Sequence, residues 1–118
     1  MRRALILLTL CAAGAWFHFR GEAAPELHPD DPRAATGDDR IVMLAADWCG
    51  YCRKQQQDFE RAGVRYRVLD IDTPDGDRAM RALGARGVPV TVIGQDVVRG
   101  YDTAALDRRL TPLGYRVY

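Results

Sequence analysis

The chain has 118 residues, 47% of them hydrophobic, with a formal charge of +1, which bounds it to one small domain once any targeting segment is set aside. A near-neutral balance lacks the basic excess of a nucleic-acid binder, and three cysteines are too few for a disulfide-rich secreted scaffold. Lys54 is the only lysine, so almost all the positive charge is arginine, a matter of composition rather than function.

Arg2 and Arg3 precede an apolar run from Ala4 to Phe17, the layout of an export signal. Residues 1–23 are read as a signal peptide cleaved after Ala23 or as a retained signal-anchor, and both alternatives stay open. A spanning helix takes about 20 apolar residues, a length reached here only by counting Trp16, Phe17, His18 and Phe19 as an interfacial end. The leading arginines favour a cytoplasmic N-terminus. The rest is then exported, to the periplasmic side of a bacterial inner membrane, soluble or tethered through residues 4–19. Cys11 follows Leu10, where a lipoprotein would need a small residue, and is read as part of the apolar run. Residues 20–39 carry Pro25, Pro29, Pro32 and six carboxylates without an apolar period. Residues 24–39 are accordingly expected to be a disordered linker, the domain to span residues 40–111, and residues 112–118 to form a tail.

Ile41 to Ala45 is an unbroken apolar run, as in a buried central strand. Cys52, Gln55, Phe59 and Ala62 then recur at helical spacing, with Arg53, Lys54, Gln57, Asp58 and Arg61 on the opposite face and Gly63 as terminator. Val64, Tyr66 and Val68 alternate with arginines and predict a second strand reaching Ile71. Thr73 and Pro74 fit the cap and first position of a helix that Gly84 ends. Pro89 to Ile93 reads as a third strand, Gly94-Gln95-Asp96 as a turn, Val97 to Arg99 as an antiparallel partner, and Asp102 or Thr103 as the cap of a last helix carrying Leu106 and Leu110. The order β-α-β-α-β-β-α predicts an α/β fold whose opening crossover makes a parallel strand pair.

Asp47-Trp48-Cys49-Gly50-Tyr51-Cys52 holds two thiols three positions apart. A zinc site needs about four ligands, and the only histidines, His18 and His28, precede the domain, so no metal is expected and no imidazole serves a cysteine hydrolase. A staple closing so short a loop removes little chain entropy. A reactive pair fits better. Cys49 falls at a helix N-terminus, where the macrodipole and free N–H groups stabilise a thiolate. Cys52 lies one turn on, on the inward side, placed to resolve a mixed disulfide.

With this pair beside a β-α-β pattern, the segment Asp47 to Cys52 resembles the active-site segment of glutaredoxins and thioredoxins. Gly87-Val88-Pro89 is similar to their cis-proline segment, and Gly94 to Asp102 to the glutaredoxin hairpin. The resemblance covers residues 40–111 and implies a thioredoxin-like (glutaredoxin) fold with a four-stranded mixed sheet flanked by helices. It implies a thiol–disulfide oxidoreductase in which Cys49 attacks and Cys52 resolves. Trp48, Gly50 and Tyr51 would border the substrate, and Val88, before a cis bond to Pro89, would offer it a backbone edge. Gly100 and Asp102 would lie where glutaredoxins hold the glutathione γ-glutamyl end, and Arg53 or Arg86 would meet a carboxylate.

The same resemblance implies no resident cofactor, with glutathione as co-substrate, and as partners disulfide-containing proteins together with glutathione or a thioredoxin-type reductant. The chain departs from the pattern at Asp47, at Gly50, where many glutaredoxins have proline, and at Gly100-Tyr101, where they have paired glycines. Two other readings stand beside the oxidoreductase. One is a carrier of a [2Fe–2S] cluster held between protomers with glutathione, and the other a tethered binding domain whose cysteines are incidental.

Overall fold

The computed structural model describes residues 26–118. The expectations for residues 1–23, whether signal or anchor, lie outside the described residues. Among the described residues no helix is long and apolar enough to cross a membrane.

A short helix α1 (Arg33–Thr36) precedes β1 (Ile41–Ala45), α2 (Gly50–Arg61), β2 (Arg67–Asp70), α3 (Pro74–Ala82), β3 (Val90–Ile93), β4 (Asp96–Arg99) and α4 (Thr103–Leu110), with a 3-10 turn at Thr111–Leu113. The strands form one mixed sheet in the order β2-β1-β3-β4. β1 runs parallel to β2 with Met43 opposite Val68, and antiparallel to β3 with Leu44 opposite Val90. β3 and β4 close the sheet as an antiparallel hairpin.

β1 is apolar throughout because both faces of the sheet are covered. Ile41 and Ile93 pack with Phe59 of α2 and with Leu106 and Leu110 of α4. Leu44, Val90 and Val92 point the other way, onto Ala79, Met80 and Leu83. The helices begin where local chemistry predicts. The Thr73 hydroxyl accepts from the Gly76 N–H with Pro74 next in line, and the Asp102 carboxylate accepts from the Ala105 N–H.

Three local expectations differ from the structure. Much of the segment read as disordered linker is ordered against the sheet. Asp31 and Thr36 are buried, the Thr36 hydroxyl donates to the Gly94 carbonyl, and the Gln95 side chain donates to the Arg33 and Gly37 carbonyls. Its polar and proline-rich composition hides this, because the docking is made of hydrogen bonds rather than an apolar face. Secondly, the alternation from Val64 does not continue as a strand. Val64 and Tyr66 pack on the core ahead of β2, whereas Val68 remains 42% exposed. It shares the face of Met43 but stands on the edge strand, beyond the cover of α2. Thirdly, the residues read as a tail return to the body: Leu113, Tyr115 and Val117 pack against the core of Phe59 and Leu110.

Candidate functional site

β1 leaves the sheet at Ala45 and the chain turns into α2, so the residues between them lie at one end of the sheet. β3 enters at that same end, since Val90 pairs with Leu44. This register brings Val88 and Pro89 beside Cys49. The peptide bond between Val88 and Pro89 is cis, and the Cys49 sulfur lies 3.7 Å from the Val88 carbonyl oxygen.

Cys49 and Cys52 are joined as a disulfide with Cα atoms 5.2 Å apart. Cys49 is the N-cap residue of α2, in extended backbone conformation, and its sulfur accepts from the Cys52 N–H at 3.1 Å. It therefore takes the place that a serine or aspartate oxygen takes at other helix starts. A sulfur in this position faces the positive end of the helix, which favours an anion there. Cys49 is 7% exposed and Cys52 1%, so whatever reaches the pair meets Cys49 first. Met43, Ala45, Ala46 and Val88 supply the apolar surroundings.

Trp48 and Tyr51 stand out of the surface on either side, 67% and 65% exposed. The Trp48 indole N–H donates to the Asp72 carboxylate at 3.0 Å, and the Arg53 guanidinium donates to the Asp47 carbonyl at 2.6 Å. Gly50 is the first helical residue. Beyond Val88 a groove of about 380 Å³ is lined by Arg86, Gly87, Val90, Arg99 and Gly100. The Gly100 N–H donates to the Pro89 carbonyl at 2.8 Å, which ties the end of β4 to the proline segment. Asp102 turns its carboxylate to the start of α4. The structure thus gathers Cys49, Cys52, Val88, Pro89 and Gly100 at one end of the sheet, with Trp48, Gly50 and Tyr51 around the sulfurs.

Several neighbours of the site are not legible from local pattern. Tyr101 stacks on Tyr51 with ring centroids 5.8 Å apart, and the Lys54 ammonium lies 5.5 Å from the Tyr101 ring centre. The Tyr101 hydroxyl donates to Asp58 at 2.5 Å, and this bond, followed by burial, raises its ionisation above the usual tyrosine range. Tyr118 meets Tyr101 edge to face and is also raised, first by burial and then by Asp58. The one sequence signal for this row was Tyr101 itself, a large ring where a glycine was expected. Gln55 was readable, since it falls on the inward face of α2. It is fully buried, and its amide donates to the Thr91 hydroxyl at 2.6 Å.

Comparison with known proteins agrees with this arrangement. The family model Glutaredoxin matches residues 41–98. A glutaredoxin of Ricinus communis is 31% identical over 68 residues, covering 53% of this chain and 67% of that protein. The chloroplastic glutaredoxin-C5 of Arabidopsis thaliana is 30% identical over 84 residues, covering 65% of this chain but only 48% of the relative. Among solved structures, a buckwheat glutaredoxin–glutathione complex superposes with a TM-score of 0.55 at 29% identity, over 69% of this chain and 78% of that one. With its Cys49–Cys52 pair on a four-stranded mixed sheet, the chain belongs to the glutaredoxin family and is a thiol–disulfide oxidoreductase.

Proposed function

We propose that Cys49 is the attacking thiol and Cys52 the resolving thiol of a dithiol exchange on protein disulfides or glutathione mixed disulfides. The observation that carries this assignment is the unequal setting of the two sulfurs: Cys49 caps α2 at the opening, while Cys52 is sealed one turn behind it. The Cys49 thiolate attacks one sulfur of the substrate disulfide, forming a mixed disulfide and releasing the other sulfur as thiolate. Cys52, once deprotonated, attacks the Cys49 sulfur and releases the second substrate thiolate, so the substrate gains two electrons and the protein becomes the disulfide. Val88 offers its backbone to the incoming chain, and Trp48 and Tyr51 border it.

Glutathione is the co-substrate that restores the dithiol in this reading, two molecules leaving as glutathione disulfide. The buckwheat glutaredoxin–glutathione complex supports it, as does the presence of Arg86 and Arg99 among the residues lining the groove beside Val88 and Gly100. Arg2, Arg3 and the apolar run after them support export to a periplasmic compartment, where the exchange runs in the direction set by the reduction potential. Fractionation of cells producing the full chain checks the location, and recovery in the cytoplasm overturns it.

The roles are tested by substitution and trapping. Cys52→Ser accumulates mixed disulfides with substrate, whereas Cys49→Ser accumulates none. The reverse pattern refutes the assignment. Turnover measured with glutathione and its reductase, then with thioredoxin and its reductase, identifies the electron source.

A further inference from the structure

Among the described residues the buried side-chain oxygen of Gln55 has no hydrogen-bond partner, and the residue as a whole is fully buried. The other end of the amide is committed to the Thr91 hydroxyl. Turning the amide over does not remove the deficit, because the nitrogen with its two N–H donors would then occupy the unpartnered position. A buried polar atom left bare costs stability, and an apolar residue would serve the core better at this position. The explanation lies in its neighbours. Gln55 is one turn after Cys52 on the inward face of α2, and side chains three apart on a helix are adjacent. Helical side chains lean toward the N-terminus, so that of Gln55 leans toward Cys52. Thr91, its anchor, sits opposite Met43, which packs in the same cluster as both cysteines.

We propose that Gln55 is a positioning residue for the resolving cysteine. Its oxygen is bare in the disulfide, and in the dithiol it accepts a hydrogen bond from the Cys52 S–H. The inference deepens the reading of Cys52 as the buried resolving thiol. Reduction breaks the S–S bond with two electrons from two glutathione thiols, which leave as glutathione disulfide. Of the two protons they release, one stays on the Cys52 sulfur as the S–H in question, and the other passes to Cys49 or to solvent. Because the acceptor is satisfied only in the dithiol, it favours the reduced form and makes the protein more oxidising. Thr91 holds the amide in this orientation through the bond from its nitrogen.

The test has two readouts, both on the full chain carrying Cys11→Ser. In the first, Cys49→Ser leaves Cys52 as the only thiol, and its S–H infrared band is recorded. A hydrogen-bonded S–H, with a band lowered in frequency that returns to the free-thiol position on adding Gln55→Met, is the expected result. A free-thiol band in the protein that retains Gln55 overturns the proposal, and this reading does not depend on which cysteine attacks substrate or on the folding of any Gln55 variant. In the second, with both active-site cysteines present, the redox equilibrium with glutathione is measured. Gln55→Met is expected to move it toward the disulfide by about tenfold, equivalent to about 30 mV, with a smaller shift in the same sense for Thr91→Val. A purely structural role would destabilise both redox forms alike and leave the equilibrium in place. A Gln55→Met equilibrium within about twofold of the parent, or moved toward the dithiol, also overturns the proposal.

Discussion

The Cys49 sulfur lies 3.7 Å from the carbonyl oxygen of Val88, and the pairing of Leu44 with Val90 brings the two segments side by side. The Val88 side chain packs against the same apolar cluster as the two sulfurs. A charge introduced at residue 88 is therefore felt by the Cys49 thiolate. Val88→Asp is expected to move the midpoint of Cys49 alkylation to higher pH, and Val88→Lys to lower pH, each by about one unit. The measurement is the iodoacetamide rate of the reduced protein against pH in a Cys11→Ser background, with Cys52 shielded by burial. Midpoints that coincide in the two variants would show that residue 88 does not sense the sulfur.

How much of this was legible beforehand follows from the range of the interactions. The order of elements, the caps at Thr73 and Asp102, and the inward position of Gln55 rest on residues within a turn or two of one another, where spacing carries the information. The proline segment beside the cysteines came through family resemblance, because 39 positions separate Val88 from Cys49. What local pattern could not supply is the set of distant polar and aromatic pairs. Thr36 meets Gly94 across 58 positions, and Asp58 meets Tyr101 across 43. Neither leaves a periodic trace, so the ordered segment before β1 read as linker and Tyr101 read only as a missing glycine. Val68 misled for a related reason: alternation reports which side of a strand a residue takes, but not whether a helix extends far enough to cover it.

Gly76 shows why a helix with an exposed aspartate-rich start still needs glycine within its first turn. A Cβ there would fall inside the Asp70 carbonyl group and 2.8 Å from the Ile71 Cα, both backbone atoms that cannot move aside cheaply. Gly87, between Arg86 and the proline segment, has nothing within 4 Å of the equivalent position among the described residues, its chain neighbours aside. Gly76→Ala is expected to destabilise the domain by about 1–3 kcal/mol, and Gly87→Ala to change stability by no more than about 0.5 kcal/mol. Urea midpoints of the two variants check this, and equal midpoints would refute the steric account.

The ordering of the segment before β1 should depend on pH. The Arg33 guanidinium grips the Asp31 carboxylate at 2.7 Å, and the Arg33 N–H donates to it at 2.9 Å. These bonds hold the Asp31 carboxyl below the usual aspartate range. A carboxyl depressed in the folded state contributes stability above its unfolded value of about 3.9, and the contribution is lost as pH falls through the folded value. Asp31→Asn is therefore expected to cost about 1 kcal/mol at neutral pH, a modest figure because Arg33 is partly exposed, and to converge on the parent protein in strong acid. Denaturation midpoints across that range test it. A difference that persists unchanged below the folded titration would assign the effect to shape rather than charge.

The row Asp58, Tyr101 and Tyr51 links an ionisable pair to the rim of the disulfide. Asp58 accepts from the Tyr101 hydroxyl, and the Tyr101 ring supports Tyr51 from behind. The raised tyrosine ionisation means that the contribution of this bond is complete below the unfolded value of about 10 and is lost as pH rises through the folded one. Above it a phenolate would face a carboxylate. In Asp58→Asn the amide oxygen still accepts the bond but carries no charge, so Tyr101 should titrate closer to the ordinary range. Tyr118, raised first by burial, should follow only in part. Ultraviolet titration of the parent and Asp58→Asn proteins resolves the two responses. At neutral pH the substitution is expected to cost about 1 kcal/mol or less, the difference between a charged and a neutral acceptor. That difference should shrink and then reverse at alkaline pH. Should Tyr118 shift as far as Tyr101, the leading cause at Tyr118 would be Asp58 rather than burial.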